Sequence, residues 1–223
     1  QTCALPIYIS KEKLRSKIVT NYYGRKELKL SRLDLLELPE AVQELTELDE
    51  LDLSRNKLKT IPENVGKLNN ITVLDVSRNQ LSIFPASLTQ LKKLKRLYIS
   101  DNKLTTIPDA IGEMVALEGL DLSYNQLTVL SPAITQLKKL KWLYISHNKL
   151  TTISDAIGEM VALETLDLSY NQLTVLNPAI KQLKKLQLLF VNGNPFTVEG
   201  IRSVMELENR RMIDQVYSDL QGE

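Results

Sequence analysis

The chain has 223 residues, 43% of them apolar, which is enough to bury a substantial core. Its 28 Lys and Arg against 27 Asp and Glu give a net charge of +1, so no overall field draws it to nucleic acid or to an anionic membrane. No stretch approaches the roughly 18 consecutive apolar residues of a membrane span, and the single cysteine, Cys3, excludes an intrachain disulfide and favours a cytoplasmic location.

The N-terminal segment divides into two parts. Residues 1–7, QTCALPI, are the in-frame translation of a sequencing-adapter sequence, and we interpret them as non-native. On this interpretation the N-terminus is truncated, so the absence of a signal peptide does not argue against a lost targeting signal. In residues 8–24, Leu14, Ile18 and Tyr22 recur at four-residue steps after a potential N-cap, Ser10, which predicts an N-terminal capping helix.

From residue 25 the chain repeats with a period of 23 residues. The unit at 48–70 reads LDELDLSRNKLKTIPENVGKLNN, with apolar residues at unit positions 1, 4, 6, 11, 14, 18 and 21 and Asn at position 9. Positions 4 and 6 point to the same side of a short strand, so positions 3, 5 and 7 are expected to face outward. One unit cannot fold alone, and the seven full units and one partial unit in residues 25–196 must stack on each other.

This pattern resembles the leucine-rich-repeat superfamily, within it the 23-residue cytoplasmic subtype seen in Ras-suppressor and Scribble-type proteins and in bacterial proteins. The resemblance implies an α/β fold, a right-handed solenoid with a parallel sheet on its concave face and short helical or irregular segments on its convex side. It also implies that the position 9 side chains are buried and bond the backbone of neighbouring turns. These structural asparagines are Asn56, Asn79, Asn102, Asn125, Asn148, Asn171 and Asn194.

Beyond Phe196, residues 197–223 are predicted to form a C-terminal helical cap. Thr197 can begin a helix that covers the end of the core with three apolar residues, Ile201, Val204 and Met205. A further apolar stripe, Ile213, Val216, Tyr217 and Leu220, is expected to extend this cap or to lead into another domain.

Function is expected on the outward positions, because the fold occupies the others. Acidic and aromatic residues alternate at position 5 from residue 98 onward, and further aromatic residues occur at positions 3 and 8. Rigid aromatic side chains exposed together are typical binding anchors, although they can also fill gaps between adjacent strands. The candidate residues for binding a protein on the concave face are Asp52, Asp75, Arg96, Tyr98, Asp121, Tyr124, Trp142, Tyr144, His147, Asp167, Tyr170 and Phe190.

A longer duplication supports this assignment. Residues 94–139 and 140–185 are the same 46-residue block except at six places, and three of these lie at positions 3 or 8. Those three are Arg96/Trp142, Asp101/His147 and Gly119/Thr165. Chance placement predicts about one, so the pattern favours a duplicated block whose contact surface diverged.

The ingredients of catalysis are missing from the sequence. One histidine, His147, and one cysteine cannot build a standard zinc site, so no metal or cofactor is expected. Ser146 and His147 are neighbours without convergent geometry. Asp52 and Asp75 should lie about 5 Å apart, a spacing that suits retaining glycoside hydrolysis, but an open surface without an apolar wall should not raise either pKa.

Two further groups of charged residues recur along the chain, the arginines at position 8 and the lysines before alternate strands. The arginines at position 8, Arg32, Arg55 and Arg78, are expected to pair laterally with Glu27, Glu50, Asp52 and Asp75. Lysines recur before every second strand, at Lys92, Lys93, Lys138, Lys139, Lys184 and Lys185, and could bind nucleic acid or anionic lipid. Glutamates in the alternate units should lie between them and favour a solvated surface.

We therefore predict a monomeric, non-enzymatic protein-interaction module, a scaffold or sensor in signalling, that binds neither nucleic acid nor membrane. The alternative is that the chain is the ligand-sensing arm of a larger signalling enzyme of the GTPase or ubiquitin-ligase type, because similar arms precede such domains in resembling proteins.

Overall fold

The computed structural model describes residues 10–205, without the side chains of residues 204 and 205. Two α-helices lie at the ends, α1 Lys11–Arg15 and α2 Val198–Met205. The strands are β1 Val19–Thr20, β2 Lys26–Lys29, β3 Glu50–Asp52, β4 Val73–Asp75, β5 Arg96–Tyr98, β6 Gly119–Asp121, β7 Trp142–Tyr144, β8 Thr165–Asp167 and β9 Leu188–Phe190. Between successive strands from β2 onward lie short 3-10 helices, at Glu40–Glu44, Glu63–Lys67, Ala86–Gln90, Asp109–Glu113, Pro132–Gln136, Asp155–Glu159 and Pro178–Gln182.

The nine strands form one sheet in chain order. β1 pairs with β2 antiparallel, and every later pairing is parallel with a register of one repeat, so that Leu51 lies beside Leu74 and Leu74 beside Leu97. Each coil therefore presents unit positions 3, 4 and 5 to its neighbours as a three-residue strand. This confirms the predicted solenoid with a parallel sheet on one side and short helical returns on the other.

The seven apolar positions of each unit build one continuous core. In the unit at 48–70, Leu48, Leu53, Leu58 and Val65 have no solvent exposure, and Ile61 is 7% exposed. The same positions in the neighbouring coils extend this core without a break. Because each coil covers the apolar edge of the next, no coil keeps its core without neighbours.

The asparagine side chains at position 9 tie each coil to the one before it. Asn125 Oδ1 accepts the Leu104 N–H at 3.0 Å, while its Nδ2 donates to the carbonyls of Ile99 in the preceding coil and Leu122 in its own. The same bonds recur in successive coils. They satisfy backbone groups that the turn after each strand would leave unpaired inside the protein.

The returns begin in two chemically different ways. In four coils a proline at position 15 precedes the 3-10 helix, where a missing N–H costs no ladder bond. In the last three, Ser131, Ser154 and Asn177 take that place, and each side chain accepts the N–H two residues later. Proline thus removes a donor at the start of the return, whereas Ser and Asn supply an acceptor for the N–H two residues later.

The N-terminal end differs from the predicted capping helix. Ser10 does cap α1 and Leu14 is fully buried, but the helix ends at Arg15. The β-branched run Ile18, Val19, Thr20 favours a strand instead, and a turn with Gly24 at φ 74° reverses the chain into β2. Tyr22 is 97% exposed in this turn and belongs to no helix.

At the C-terminal end, α2 lies against the last complete coil. Gly200 approaches the backbone of Thr174 so closely that a Cβ atom would overlap its carbonyl oxygen, and Ser203 Oγ accepts the Leu176 N–H at 3.3 Å. The stripe from Ile213 to Leu220 and the adapter-like residues 1–7 lie outside the described residues.

Candidate protein-binding surface

The outward side chains of β2–β9 form one uninterrupted face. Eight strands at about 4.8 Å spacing span roughly 34 Å, and each strand from β3 onward is three residues, or about 10 Å, long. Position 5 supplies a row in register, Asp52, Asp75, Tyr98, Asp121, Tyr144, Asp167 and Phe190, all half-buried except the exposed Phe190. The face is therefore long and narrow.

Three aromatic rings, here called the Trp142 cluster, contact one another on this face. The Trp142 indole extends from β7 across β6, stacks on Tyr98 of β5 at a centroid distance of 5.8 Å, and is tilted against Tyr144 at 5.7 Å. It can lie there because Gly119 of β6 has no side chain, and a Cβ atom on Gly119 would overlap the ring. The cluster thus fills the gap over Gly119 and also presents half-buried aromatic surface to solvent.

A second set, the His147 stack, lies along position 8. The His147 ring lies between the rings of Tyr124 and Tyr170, at 4.0 and 4.3 Å and nearly parallel to both. Tyr170 in turn covers Gly193. Within the described residues no ring contact joins this stack to the Trp142 cluster, so the sequence-based expectation of one aromatic patch is replaced by two separate clusters.

Position 8 has an unusual backbone. Its residue is left-handed in every coil, with φ between 51° and 67° from Arg32 to Gly193. Such angles are strained for a side chain as bulky as Tyr, and only Gly193 adopts them without cost. The sequence offered little sign of this, because Arg, Asp, Tyr and His otherwise occupy the position.

The aspartates at position 5 have a structural task as well. Asp52, Asp75, Asp121 and Asp167 each use Oδ1 to accept the N–H of the serine two residues later, at 2.8 to 3.0 Å. Within the described part of the chain, none of their carboxylates lies in an ion pair. One oxygen of each is thus used by the fold, and the other is free for a ligand.

Burial raises the pKa of Asp75, and the neighbouring carboxylates Asp52 and Asp121 raise it further against the hydrogen bond from Ser77. The expectation that this open face raises no pKa is therefore wrong. The sequence could not show it, because the half-buried Tyr98, beside Asp75 in register, reduces solvent access only in the folded sheet.

The serines at position 7 were expected to face outward, but Ser54, Ser123, Ser146 and Ser169 are buried. After the strand ends at position 5, the turn toward the left-handed residue carries them out of the outward row. The recurring Asp-x-Ser spacing was the available signal for this, since an aspartate commonly accepts the N–H of the residue two positions later.

The arginine network differs from its prediction. Arg78 pairs with Asp101 at 3.6 Å, whereas Glu50 pairs with Arg25 and Glu27 with Lys29. In residues 10–205 neither Arg32 nor Arg55 lies in an ion pair. The predicted partners are wrong, because Arg78 pairs along position 8 with the residue of the next coil rather than with an acid of its own strand.

Lysines and glutamates do alternate along the returns, as predicted. Lys92 pairs with Glu113 at 3.0 Å and Lys138 with Glu159 at 3.2 Å, each from one coil to the next. Glu118 lies between Lys95 and Lys141, at 3.4 Å from both. These pairs neutralise part of the lysine stripe.

Ser146 and His147 do not form a catalytic centre. Ser146 Oγ is buried and donates to Ser123 Oγ, while tyrosines cover both faces of the His147 ring. A cavity of about 250 Å³ lies far from both, between the first two returns, where Glu37, Pro39 and Pro62 contribute to its walls. Across the described residues no group of three or more metal-ligating side chains occurs, and no helix there has the length and apolarity to cross a membrane.

Comparison with known proteins places these coils in a family. A model described as a leucine-rich repeat region matches residues 40–131, and one described as a leucine rich repeat matches residues 116–173 and 138–196. The chain is similar to a leucine-rich-repeat protein of Leptospira interrogans, with a TM-score of 0.76, 30% identity and coverage of 94% of this chain and 58% of that one. It shares its fold with an internalin of Listeria monocytogenes, with a TM-score of 0.72, 23% identity and coverage of 84% and 53%. The chain thus spans little more than half the length of either protein, and no curated protein matches it.

Proposed function

Because this chain belongs to the leucine-rich-repeat superfamily, we propose that it is an interaction module that binds one protein partner on the face formed by β2–β9. Domains of this family generally mediate protein–protein interaction. We assign binding to residues 25–196 and infer a role as a scaffold or sensor in signalling.

One observation carries this proposal: the aromatic side chains of the outward positions lie together with carboxylates that have free oxygens, on a single face. The Trp142 cluster offers half-buried rings, and Tyr124 and Tyr170 are each about half exposed. Large rigid aromatic groups of this kind supply most of the binding energy in many interfaces. The other side of the coils carries charged side chains, some of them paired, and scattered exposed aliphatic side chains such as Ile83, but no ring contact occurs there within the described residues.

A protein partner fits better than nucleic acid or a membrane. The lysine stripe lies on the returns, and Lys92 and Lys138 are paired with glutamates of the next coil. The position 5 row is acidic and would repel phosphate groups. We therefore expect little binding to anionic polymers or vesicles at physiological salt, and binding that tracked the number of lysines would contradict this.

We also propose that the module is monomeric, non-enzymatic and cytoplasmic. Leu14 of α1 is buried at one end of the core, and Leu189 and Val191 of the last coil are buried at the other, so stacking on a second copy is not needed for burial. Asn70, Ile71 and Thr72 have the sequence of a glycosylation site, but the Asn70 amide nitrogen donates to the Thr46 carbonyl at 3.0 Å, which favours an unmodified side chain, as a cytoplasmic location requires. Light scattering should give the mass of one chain, and a dimer would contradict the proposal.

Two matched threonine substitutions test the binding face. Thr165→Arg puts a long side chain on β8 without removing any ring, whereas Thr152→Arg makes the same change at an exposed site outside the sheet. Binders are first selected from a displayed library of protein fragments with the unaltered chain. We expect Thr165→Arg to weaken their binding by about tenfold or more, because it obstructs a buried contact, and Thr152→Arg to leave it unchanged.

Binding is measured by calorimetry, with thermal melts as a folding control. Equal binding to both variants would contradict the assignment of the binding site to this face. A library that yields no binder for the unaltered chain would contradict the proposed function itself.

A further inference from the structure

The proposed binding face differs in charge from the rest of the molecule. The chain as a whole has a net charge of +1, yet positions 3 and 5 of the eight parallel strands carry six carboxylates and only two cations. Two of those carboxylates, Glu27 and Glu50, are already paired with Lys29 and Arg25. The remaining four are the position 5 aspartates, and in the described residues Arg96 is the one cation of these positions without an ion pair, so the unpaired negative charge of the face lies in one row.

Asp121 has the most specific surroundings in this row. Its neighbours in register are Tyr98 on one side and Tyr144 on the other. Trp142 contacts both of these rings while it crosses the same strand over Gly119. One carboxylate with an unbound oxygen is therefore surrounded by three aromatic rings.

A flat cation matches this combination better than a round one. A guanidinium group stacks on aromatic faces and donates two parallel N–H bonds to a carboxylate, and it gives up its water more easily than an ammonium group. The Asp121 environment thus favours arginine over lysine.

The same chemistry recurs at a fixed interval. Asp75, Asp121 and Asp167 lie two strands apart, at about 10 Å, with Tyr98 and Tyr144 between them. A polypeptide in the extended polyproline-II conformation advances about 3.1 Å per residue with three residues per turn, so every third side chain lies on the same side and would reach the next aspartate. A helix would need six or seven residues for the same distance.

We propose that the partner contributes an extended basic segment that lies across the strands, with arginine at every third position and its guanidinium groups on Asp75, Asp121 and Asp167. This rests on the proposed function, because it names the chemistry of the partner at that same face. The narrow shape of the face, about 10 Å by 34 Å, suits a segment of this kind.

Synthetic peptides test the proposal directly, because Trp142 is the only tryptophan of the chain and its emission reports on the site. One nine-residue peptide carries arginine at every third position, separated by Gly and Ser. A second has the same composition with its three arginines adjacent, and a third has lysine in place of arginine. We expect the first to bind the full chain about fivefold or more tightly than either of the others, since only it combines spacing and planarity.

The Asp121→Asn variant keeps an oxygen that accepts the Ser123 N–H but removes the charge. This variant should bind the first peptide about fivefold or more weakly, while the Trp142 emission of the variant without peptide stays unchanged. Asp109→Asn is the matched control, because it makes the same change on a return segment and keeps the bond from Ser131 Oγ. It should bind like the unaltered chain.

Equal binding of all three peptides, or no effect of Asp121→Asn, would overturn this inference. If library fragments that lack arginine bind and are lost with Thr165→Arg, the proposed function stands and the arginine inference falls. If Thr165→Arg has no effect on any binder, the proposed function itself is contradicted.

Discussion

At the scale of single residues, Gly119 and Trp142 depend on each other. A step of 46 residues along the chain leads from this pair to Thr165 and Leu188 on adjacent strands, where neither residue is aromatic. At the first site a ring crosses the strand and the residue beneath it has lost its side chain. The two differences between the blocks at Arg96/Trp142 and Gly119/Thr165 therefore bear on one contact, which sequence comparison alone could not connect.

A double-mutant cycle measures this dependence. Gly119→Thr should cost about 1 to 3 kcal/mol when Trp142 is present, because its Cβ displaces the indole. In a Trp142→Arg background, Gly119→Thr should change the free energy of unfolding little, because no indole ring then lies over position 119. Thr165 is the natural residue at the equivalent position of β8. Urea unfolding followed by circular dichroism gives the coupling energy, and additivity within about 0.5 kcal/mol would show that the contact is unimportant.

Asp75 gives a pH dependence with a definite sign. Its raised pKa means that the folded chain holds this proton more tightly than the unfolded chain, so ionisation destabilises the fold. The penalty appears as pH rises through the ordinary value of 3.8 and is complete above the raised pKa. Asp75→Asn, which keeps an acceptor for the Ser77 N–H, should therefore be more stable than the unaltered chain at neutral pH.

The difference between the two proteins should disappear at about pH 3, where the carboxyl group is neutral in both states. Urea midpoints at the two pH values check this, with Asp109→Asn as a control. A gain that persists at acid pH would show that the charge is not its cause.

At the scale of structural elements, the strand and the turn of each coil were predictable to different degrees. Positions 4 and 6, such as Leu97 and Ile99, predicted where the strands lie, because apolar residues that alternate with period two must all face the buried side of a half-buried sheet. The turn was not predictable in the same way. Ser123 is buried and Tyr124 is left-handed, and neither follows from polarity, since the path of the chain there is set by backbone bonds to the adjacent coil.

Asn125 tests how strongly those bonds hold neighbouring coils together. Asn125→Ala would leave the buried Leu104 N–H unpaired and would remove one of the two amide groups that donate to the Ile99 carbonyl, at a cost of about 1 to 3 kcal/mol. Asn194→Ala in the half-buried last coil should cost less, because water reaches its partners. Equal losses in urea unfolding would contradict a role that depends on burial.

At the scale of the whole molecule, the coils are interchangeable where their sequences agree. The register from residue 25 predicted the sheet order and the core, because seven apolar positions recur without an insertion. What it could not predict were the contacts between side chains of non-adjacent coils, such as Tyr98 with Trp142. It also overestimated the length of α1, since a pattern of four-residue steps in residues 8–24 does not reveal where a helix stops.

Deletion of residues 117–162 tests this interchangeability. It joins Ala116 to Leu163, which keeps the local sequence AIGEMVALE of the native junction, and it removes Trp142. The shortened chain should unfold cooperatively with an m-value about a fifth smaller, because less surface is exposed on unfolding. It should lose the binders selected on the full face, and a loss of cooperative unfolding would contradict the equivalence of the coils.

The left-handed residue at position 8 has a consequence for how such a chain can change over generations. A non-glycine side chain there strains the backbone, less so for Asp and His than for Arg and Tyr, and it contributes little to the core, so the fold discriminates only weakly among these four residue types. A substitution at position 8 thus changes the fold little, while it alters the side chains at the edge of the binding face. Every coil therefore contains one position at which a new side chain changes the binding surface with little effect on the stability of the fold.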